Sequence, residues 1–229
     1  MKLCIALDMP DKTQCFGFLK ELEYFKQEIW IKVGMRAFYR DGAMLIKELK
    51  EKFNFKIFLD LKLYDIPNTM ADACEELANL GVDMINLHAS AGEEALKTCM
   101  KRLSSLQKRP LVLGVSALTS FDEQGFYEIY HQGIKEAVFK FAKMCFKCSL
   151  DGMVCSAYES LLIKKETQGN FITLAPGIRP FKEELNDQKR VADLAIAKAE
   201  RLDFIVVGRP IYQADYPKEV CEKILKAID

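Results

Sequence analysis

Asp60, Lys62 and Asp65 fall within six positions of the run Phe58-Leu59-Asp60-Leu61-Lys62-Leu63-Tyr64-Asp65-Ile66-Pro67-Asn68-Thr69. Side chains alternate across a strand, so Asp60 and Lys62 share one side of an expected strand while Leu59, Leu61 and Leu63 share the other. Burying an acid with an ammonium is a poor way to stabilise a fold, because desolvation offsets their attraction. Such a pair at a strand end suits chemistry: an anion and a proton donor held against a substrate. Asp65 follows in a turn marked by Pro67 and Asn68, with a helix start expected at Asn68 or Thr69. The plain alternative is an edge strand carrying a solvated ion pair.

The elements that must position these groups recur along the chain. Short apolar runs at 3–8, 30–34, 56–62, 84–88, 111–115, 152–155, 171–175 and 204–207 read as strands. Amphipathic stretches lie among them at 12–26, 43–53, 69–80, 93–106, 134–148, 158–165, 188–200 and 218–228. Gly81 suits a helix C-terminus. Strand–helix alternation implies parallel pairing through right-handed crossovers, and eight such units close into an α/β (β/α)8 TIM barrel. No linker or low-complexity segment interrupts residues 1–229, so one catalytic domain is expected. The alternative is an open doubly wound sheet. Asp8-Met9-Pro10-Asp11 follows the first strand, where a dinucleotide-binding fold would place a glycine-rich turn.

In a barrel the chemistry gathers at the C-terminal ends of the strands. Those ends carry Asp8, Lys32, Asp60 with Lys62, His88, Ser116 to Thr119, Ser156, Gly177-Ile178-Arg179 and Gly208-Arg209. The two glycine–arginine pairs end the last two expected strands, where barrels hold phosphate: glycine opens the backbone amides and arginine forks onto the oxygens. The polar loop 180–187 is a candidate lid, with Gln188 at its far end. Asp8 and Ser156 also suit helix N-caps. His88 reads as a hydrogen-bonded structural residue. Cys145-Phe146-Lys147-Cys148 has redox spacing but lies in a helical pattern without a matching pair, so helix packing is its expected role. No carboxylate–histidine cluster signals a metal.

Lys+Arg and Asp+Glu each total 33, and the zero net charge argues against broad binding to nucleic acid or anionic membrane. No run suits a membrane helix or a secretory signal, and eight cysteines then read as reduced thiols of a cytoplasmic protein.

Taken in order, several motifs resemble those of bacterial-type orotidine 5′-monophosphate decarboxylases over nearly the whole chain. They are Ala6-Leu7-Asp8, Ile31-Lys32-Val33-Gly34, the Asp60 to Thr69 string, Leu118-Thr119-Ser120 and Asp151-Gly152-Met153-Val154-Cys155-Ser156. Pro176-Gly177-Ile178-Arg179-Pro180, Asp187-Gln188-Lys189-Arg190-Val191 and Val207-Gly208-Arg209-Pro210-Ile211 complete the set. The chain departs from the family pattern at Asn186, where glycine is frequent, and at Ala192-Asp193, where Thr-Pro is common.

The resemblance implies conversion of orotidine 5′-monophosphate to UMP and carbon dioxide, in a homodimer with shared sites, without metal or organic cofactor. It implies that Asp8 binds the ribose and that Lys32 touches both the ribose and the charged array. Asp60 and Lys62 would flank the reacting carbon, while Asp65 and Thr69 would reach into the partner's site. Thr119, with Ser116 as a weaker candidate, would contact the pyrimidine; Arg179, Gln188, Gly208 and Arg209 would hold the phosphate end. Decarboxylation leaves an electron pair on carbon, which most enzymes disperse into a cofactor. Fixed electrostatics is the remaining route, with Lys62 as proton donor. Two rivals stand beside this reading. Mg²⁺-dependent sugar-phosphate enzymes on the same barrel generally place an acid where Lys32 stands. A catalytically silent nucleotide-binding barrel would have little reason to keep all four charges.

Overall fold

The apolar runs form eight strands: β1 (Lys2–Ala6), β2 (Ile29–Gly34), β3 (Lys56–Leu63), β4 (Met84–His88), β5 (Leu111–Val115), β6 (Gly152–Val154), β7 (Ile172–Ala175) and β8 (Phe204–Val207). All neighbours pair in parallel, and β8 returns to β1 to close the barrel. This computed structural model describes residues 1–167, 169–181 and 190–229. The helices that cover the strands are α1 (Lys12–Leu22), α2 (Met35–Lys52), α3 (Pro67–Asn79), α4 (Glu93–Ser104) and α5 (Glu123–Tyr130). They continue with α6 (Ile134–Lys147), α7 (Ser160–Glu166), α8 (Leu194–Ala199), α9 (Arg209–Tyr212) and α10 (Pro217–Ile228). The expected (β/α)8 barrel is the observed one; the open sheet is not.

Some boundaries differ from those expected, for local reasons. α3 starts at Pro67 after an extended Ile66, earlier than Asn68 or Thr69, because proline suits a first helical position where its missing N–H costs nothing. Gly81 follows α3 with φ of 76°, as its C-terminal position requires. α2 begins at Met35 and kinks at Gly42, so the expected 43–53 stretch is only its second half. α1 is capped by Asp11, whose carboxylate accepts the Gln14 N–H at 2.9 Å, which leaves Asp8 free of capping. α8 opens at Leu194 behind Asp193; the first two residues of its expected range, 188 and 189, lie outside the described residues.

Alternation divides the apolar residues into two cores. Leu3, Ile5, Ile31, Ile57, Leu59, Ile85 and Ile205 point outward and pack under the helices. Cys4, Ala6, Phe58, Met84, Leu113, Val115, Val154, Leu174, Phe204 and Val206 fill the barrel. Above Ala6, Phe58 and Met84, the next inward positions are Asp8, Asp60 and Asn86, so the barrel turns polar abruptly at its C-terminal rim.

At the opposite end a threefold pattern holds the strands in register. Asp83, Asp151 and Asp203 stand just before β4, β6 and β8. Each carboxylate accepts the N–H of the second residue of the preceding strand: Ile57 at 2.9 Å, Val112 at 2.7 Å and Thr173 at 2.8 Å. Each also pairs with a basic residue: Lys50 with Asp83, Arg109 with Asp151 at 2.6 Å, and Lys164 with Asp203 at 2.7 Å. Burial pushes the Asp83 carboxyl up, but Lys50 and the Ile57 N–H outweigh it and hold the group below its ordinary value. Asp83→Ala should cost about 2 kcal/mol of unfolding free energy in urea titration, the scale for a hydrogen bond to a charged group. Because the folded value is depressed, that contribution is present above about pH 4 and fades as pH falls through it, so wild type and variant should converge in acid.

Candidate active site

Four charged side chains, from β2, β3 and the segment just after β1, form a chain of alternating sign. Lys32 Nζ lies 3.6 Å from Asp8 Oδ1 and 3.3 Å from Asp60 Oδ2. Lys62 Nζ donates to the other oxygen of Asp60, Oδ1, at 2.6 Å. Lys32 and Asp60 are mostly shielded, with side chains 11% and 13% exposed, whereas Lys62 at 30% faces the opening. Burial works against both central charges. Asp60 and then Asp8 outweigh it at Lys32, whose pKa ends above the ordinary lysine value. Lys32 and Lys62 outweigh it at Asp60, which ends below the ordinary carboxyl value. Both groups are therefore ionised at neutral pH.

Gly34 makes room for this array. It ends β2 on the same face as Lys32, and a Cβ there would sit 3.1 Å from Lys32 Nζ and 3.4 Å from Asp8 Oδ1. Asn86, on β4, donates Nδ2–H to Asp60 Oδ1 at 2.7 Å and accepts the Lys62 backbone N–H at 2.8 Å.

The array opens into a cavity of about 590 Å³, within the range of small-molecule sites. Thr119 lines it from the segment after β5, and Gly177, Arg179, Gly208 and Arg209 line it from the ends of β7 and β8. The two glycine–arginine turns thus meet at one end of one cavity, across from Lys62. Arg179 is buried, and its backbone N–H donates to Ala192 O at 2.8 Å. Gln188 and most of the candidate lid lie outside the described residues.

Other expected residues are not brought to this cavity. Asp65 and Thr69 are exposed and do not line it; Asp65 Oδ1 accepts the N–H of its own neighbour Ile66 at 2.7 Å. The Ser116 hydroxyl is buried and donates to Val154 O at 3.1 Å, so it faces β6 instead of the opening. His88 Nδ1 is hydrogen-bonded to Ser90 Oγ at 2.8 Å, and its ring lies 5.4 Å from that of Tyr64. Burial, helped by the Lys62 charge, pushes this imidazole down, toward the neutral form. Cys145 and Cys148 are both buried in helix packing, Cys148 Sγ lying 3.7 Å from Glu93 O.

The sequence assigns no role to Arg36 and Tyr212, which line the cavity, nor to Asn86 or to Arg190, which it offers only within a family motif. Arg190 pairs with Glu159 and donates to Ala117 O at 2.9 Å and Leu118 O at 3.3 Å, tying residue 190 to the segment that carries Thr119. The available signal for Asn86 was an amide among the apolar residues Met84, Ile85 and Leu87.

A closed parallel barrel with an acid–lysine array at its C-terminal rim defines a (β/α)8-barrel enzyme with a lysine–carboxylate site. Comparison with known proteins makes the assignment specific. Residues 1–224 match the orotidine 5'-phosphate decarboxylase / HUMPS family. The orotidine 5'-phosphate decarboxylase of Campylobacter jejuni (strain 81-176) is 60% identical over 228 residues, covering 100% of both chains. That of Campylobacter lari is 60% identical over 226 residues, 99% of each. Among solved structures, orotidine 5'-phosphate decarboxylase from Lactobacillus acidophilus superposes with a TM-score of 0.87 at 32% identity, covering 100% of this chain and 99% of that one. An uncharacterized conserved protein from Geobacillus kaustophilus gives 0.85 at 30% identity, covering 99% and 100%. The chain belongs to the orotidine 5'-phosphate decarboxylase / HUMPS family.

Gly34→Ala tests how tightly the array is packed. The backbone there, at φ −91°, accepts alanine, so folding stability should hold. The new methyl displaces Lys32 or Asp8 by a few tenths of an ångström, and turnover should fall about tenfold, since a 1 Å misplacement costs about a hundredfold. Steady-state rates beside a melting curve check both halves.

Proposed function

We propose that this carboxy-lyase converts orotidine 5′-monophosphate to UMP and carbon dioxide, the last step of de novo pyrimidine synthesis, with Lys62 as the proton donor. The carrying observation is the Asp8–Lys32–Asp60–Lys62 array at 3.6, 3.3 and 2.6 Å, opening into a cavity with arginines at its other end. Asp8 and Lys32 serve the ribose, Thr119 the pyrimidine, and Arg179, Gln188, Gly208 and Arg209 the phosphate.

The bond between the ring carbon and its carboxylate breaks, and its electron pair stays on the ring carbon. The Lys62 ammonium faces that carbon, stabilises the growing charge and transfers one proton to it; carbon dioxide leaves. The resulting amine regains a proton from water, so one proton is consumed per turnover. Asp60, held by two ammoniums and an amide, keeps Lys62 aimed without reorganising as charge moves. Lys32 also bears on the Mg²⁺-dependent alternative: its ammonium already lies between the two carboxylates that a cation would need.

The protein acts as a homodimer whose partner completes each site. Asp65 and Thr69 are exposed and turned from their own cavity, and Tyr64 and Ile66 beside them are 64% and 67% exposed. An acid flanked by bare apolar side chains suits contact with a second copy, where Asp65 would approach Lys62 from the far side. Its setting is the cytoplasm, supported by eight free, buried cysteines. Among the described residues, no helix is long and apolar enough to cross a membrane.

Loss of the orotate chromophore measures turnover, and a chelator should leave the rate unchanged. Lys62→Ala should lower it by about a thousandfold or more, the scale of a lost general acid, while UMP binding stays measurable. Retained turnover would remove Lys62 from the mechanism. Mixing inactive Lys62→Ala and Asp65→Ala chains should restore about a quarter of wild-type activity, because a hybrid two-fold dimer holds one site with both defects and one with neither. Absence of recovery, with subunit exchange demonstrated, would refute the shared site.

A further inference from the structure

Lys62 has a backbone that lysine seldom adopts. Its φ is 52°, in the left-handed region that costs a side-chain-bearing residue roughly 1–2 kcal/mol. The cause lies in the pairing of β3 with β4. Leu59 pairs with Ile85 and Leu63 with Leu87, so Asp60, Leu61 and Lys62 stand opposite Asn86 alone. β3 therefore bulges at the reacting residue. A bulge re-aims a side chain and takes backbone groups out of the ladder. β2 gives no help here, since its ladder with β3 ends at Gly34 opposite Asp60.

Asn86 takes over what the ladder has lost. Its side chain is 1% exposed, pointing into the barrel above Met84. Oδ1 accepts the Lys62 N–H at 2.8 Å, and Nδ2 donates to Asp60 Oδ1 at 2.7 Å. The chemistry of the partners dictates this orientation: a backbone N–H only donates and an ionised carboxylate only accepts. Asp60 Oδ1 is also the oxygen that receives the Lys62 ammonium, at 2.6 Å. One amide thus grips Lys62 at its backbone and, through Asp60, at its tip.

The geometry points to Asn86 as a positioning residue for decarboxylation: by bonding both the Lys62 backbone and Asp60 across the bulge, it holds the Lys62 ammonium on the reacting carbon. A three-residue segment facing one residue has other ways to lie, and without the amide an extended backbone at Lys62 becomes the cheaper one. The ammonium then leaves its line to the substrate although both charged residues remain present. Asn86 itself need not touch the substrate; it does not line the cavity.

The inference rests on Lys62 being the proton donor, and the experiment separates the two. Lys62→Ala is measured alongside: turnover retained there refutes the donor, whereas an inactive Lys62→Ala beside an unaffected Asn86→Ala refutes only the positioning role. Asn86→Ala should lower kcat about a hundredfold, the scale of a 1 Å misplacement, with KM and UMP affinity within a few-fold of wild type. A kcat within threefold of wild type overturns the proposal, as does an equal loss in substrate binding.

Asn86→Asp is the sharper variant and decides alone should Asn86→Ala fail to fold. Ionised, the new carboxylate faces Asp60 with an acceptor in place of a donor and repels it. Protonated, it presents one O–H and one C=O in the arrangement of the amide. Its proximity to Asp60 raises its pKa, so protonation begins above the ordinary carboxyl range. The kcat of Asn86→Asp relative to wild type should therefore rise at least tenfold as pH falls from 8 to 5.5, with the same unfolding midpoint at both ends showing that refolding is not the cause. A constant ratio across that range overturns the proposal.

Discussion

A single carboxylate, Asp60, bears the electrostatics of the site. It is shielded from water, accepts from Lys62 and Asn86 on one oxygen, and lies against Lys32 on the other. Alone, such a buried anion would be protonated or expelled, because desolvation of a charge exceeds most single interactions. Two ammoniums and an amide reverse that. Lys32 in turn is kept charged against its own burial by Asp60 and then by Asp8. Removing any member leaves another uncompensated, so the set behaves as a unit, and its members differ in what they lose.

The opposite end of the barrel uses the same residue type to hold strand register. There Asp83, Asp151 and Asp203 repeat one arrangement, each closing a strand amide and a basic side chain in the same carboxylate. Between the two ends lies a dry interior of Phe58, Met84, Leu113 and Phe204. Acids at the base pair locally and satisfy backbone donors; acids at the rim pair with lysines that line the cavity. The same residue type holds strand register below and gathers lysines at the cavity above, and the difference is what it is allowed to hydrogen-bond.

The barrel was readable because alternating apolar runs of strand length and amphipathic runs of helix length impose it, and β4, β5 and β8 fall at their expected residues. The rim charges were readable because charge in an apolar strand is conspicuous. Less legible was α5, a short helix with one buried residue, Phe126, and hence little apolar periodicity. The base acids were also missed, since an aspartate before a strand looks like any turn residue until the neighbouring strand's amide is in place. Strand alternation led to the right conclusion that Asp60 and Lys62 meet, but it described a regular strand. The observed contact is made through a bulge with Lys62 left-handed.

Sequence alone determined which charges exist and their order along the strands, because residue type and hydrophobic period are local properties. It also sufficed to place the chain in its family, whose motifs are strings of neighbouring residues. Only the tertiary structure decided that Asn86 stands against Asp60 and Lys62 across 26 and 24 residues of chain, and that Gly34 leaves the space Lys32 occupies. Those facts depend on how two strands pair and where their register slips, which no single strand contains. Reach and exclusion at the scale of one hydrogen bond belong to the closed barrel.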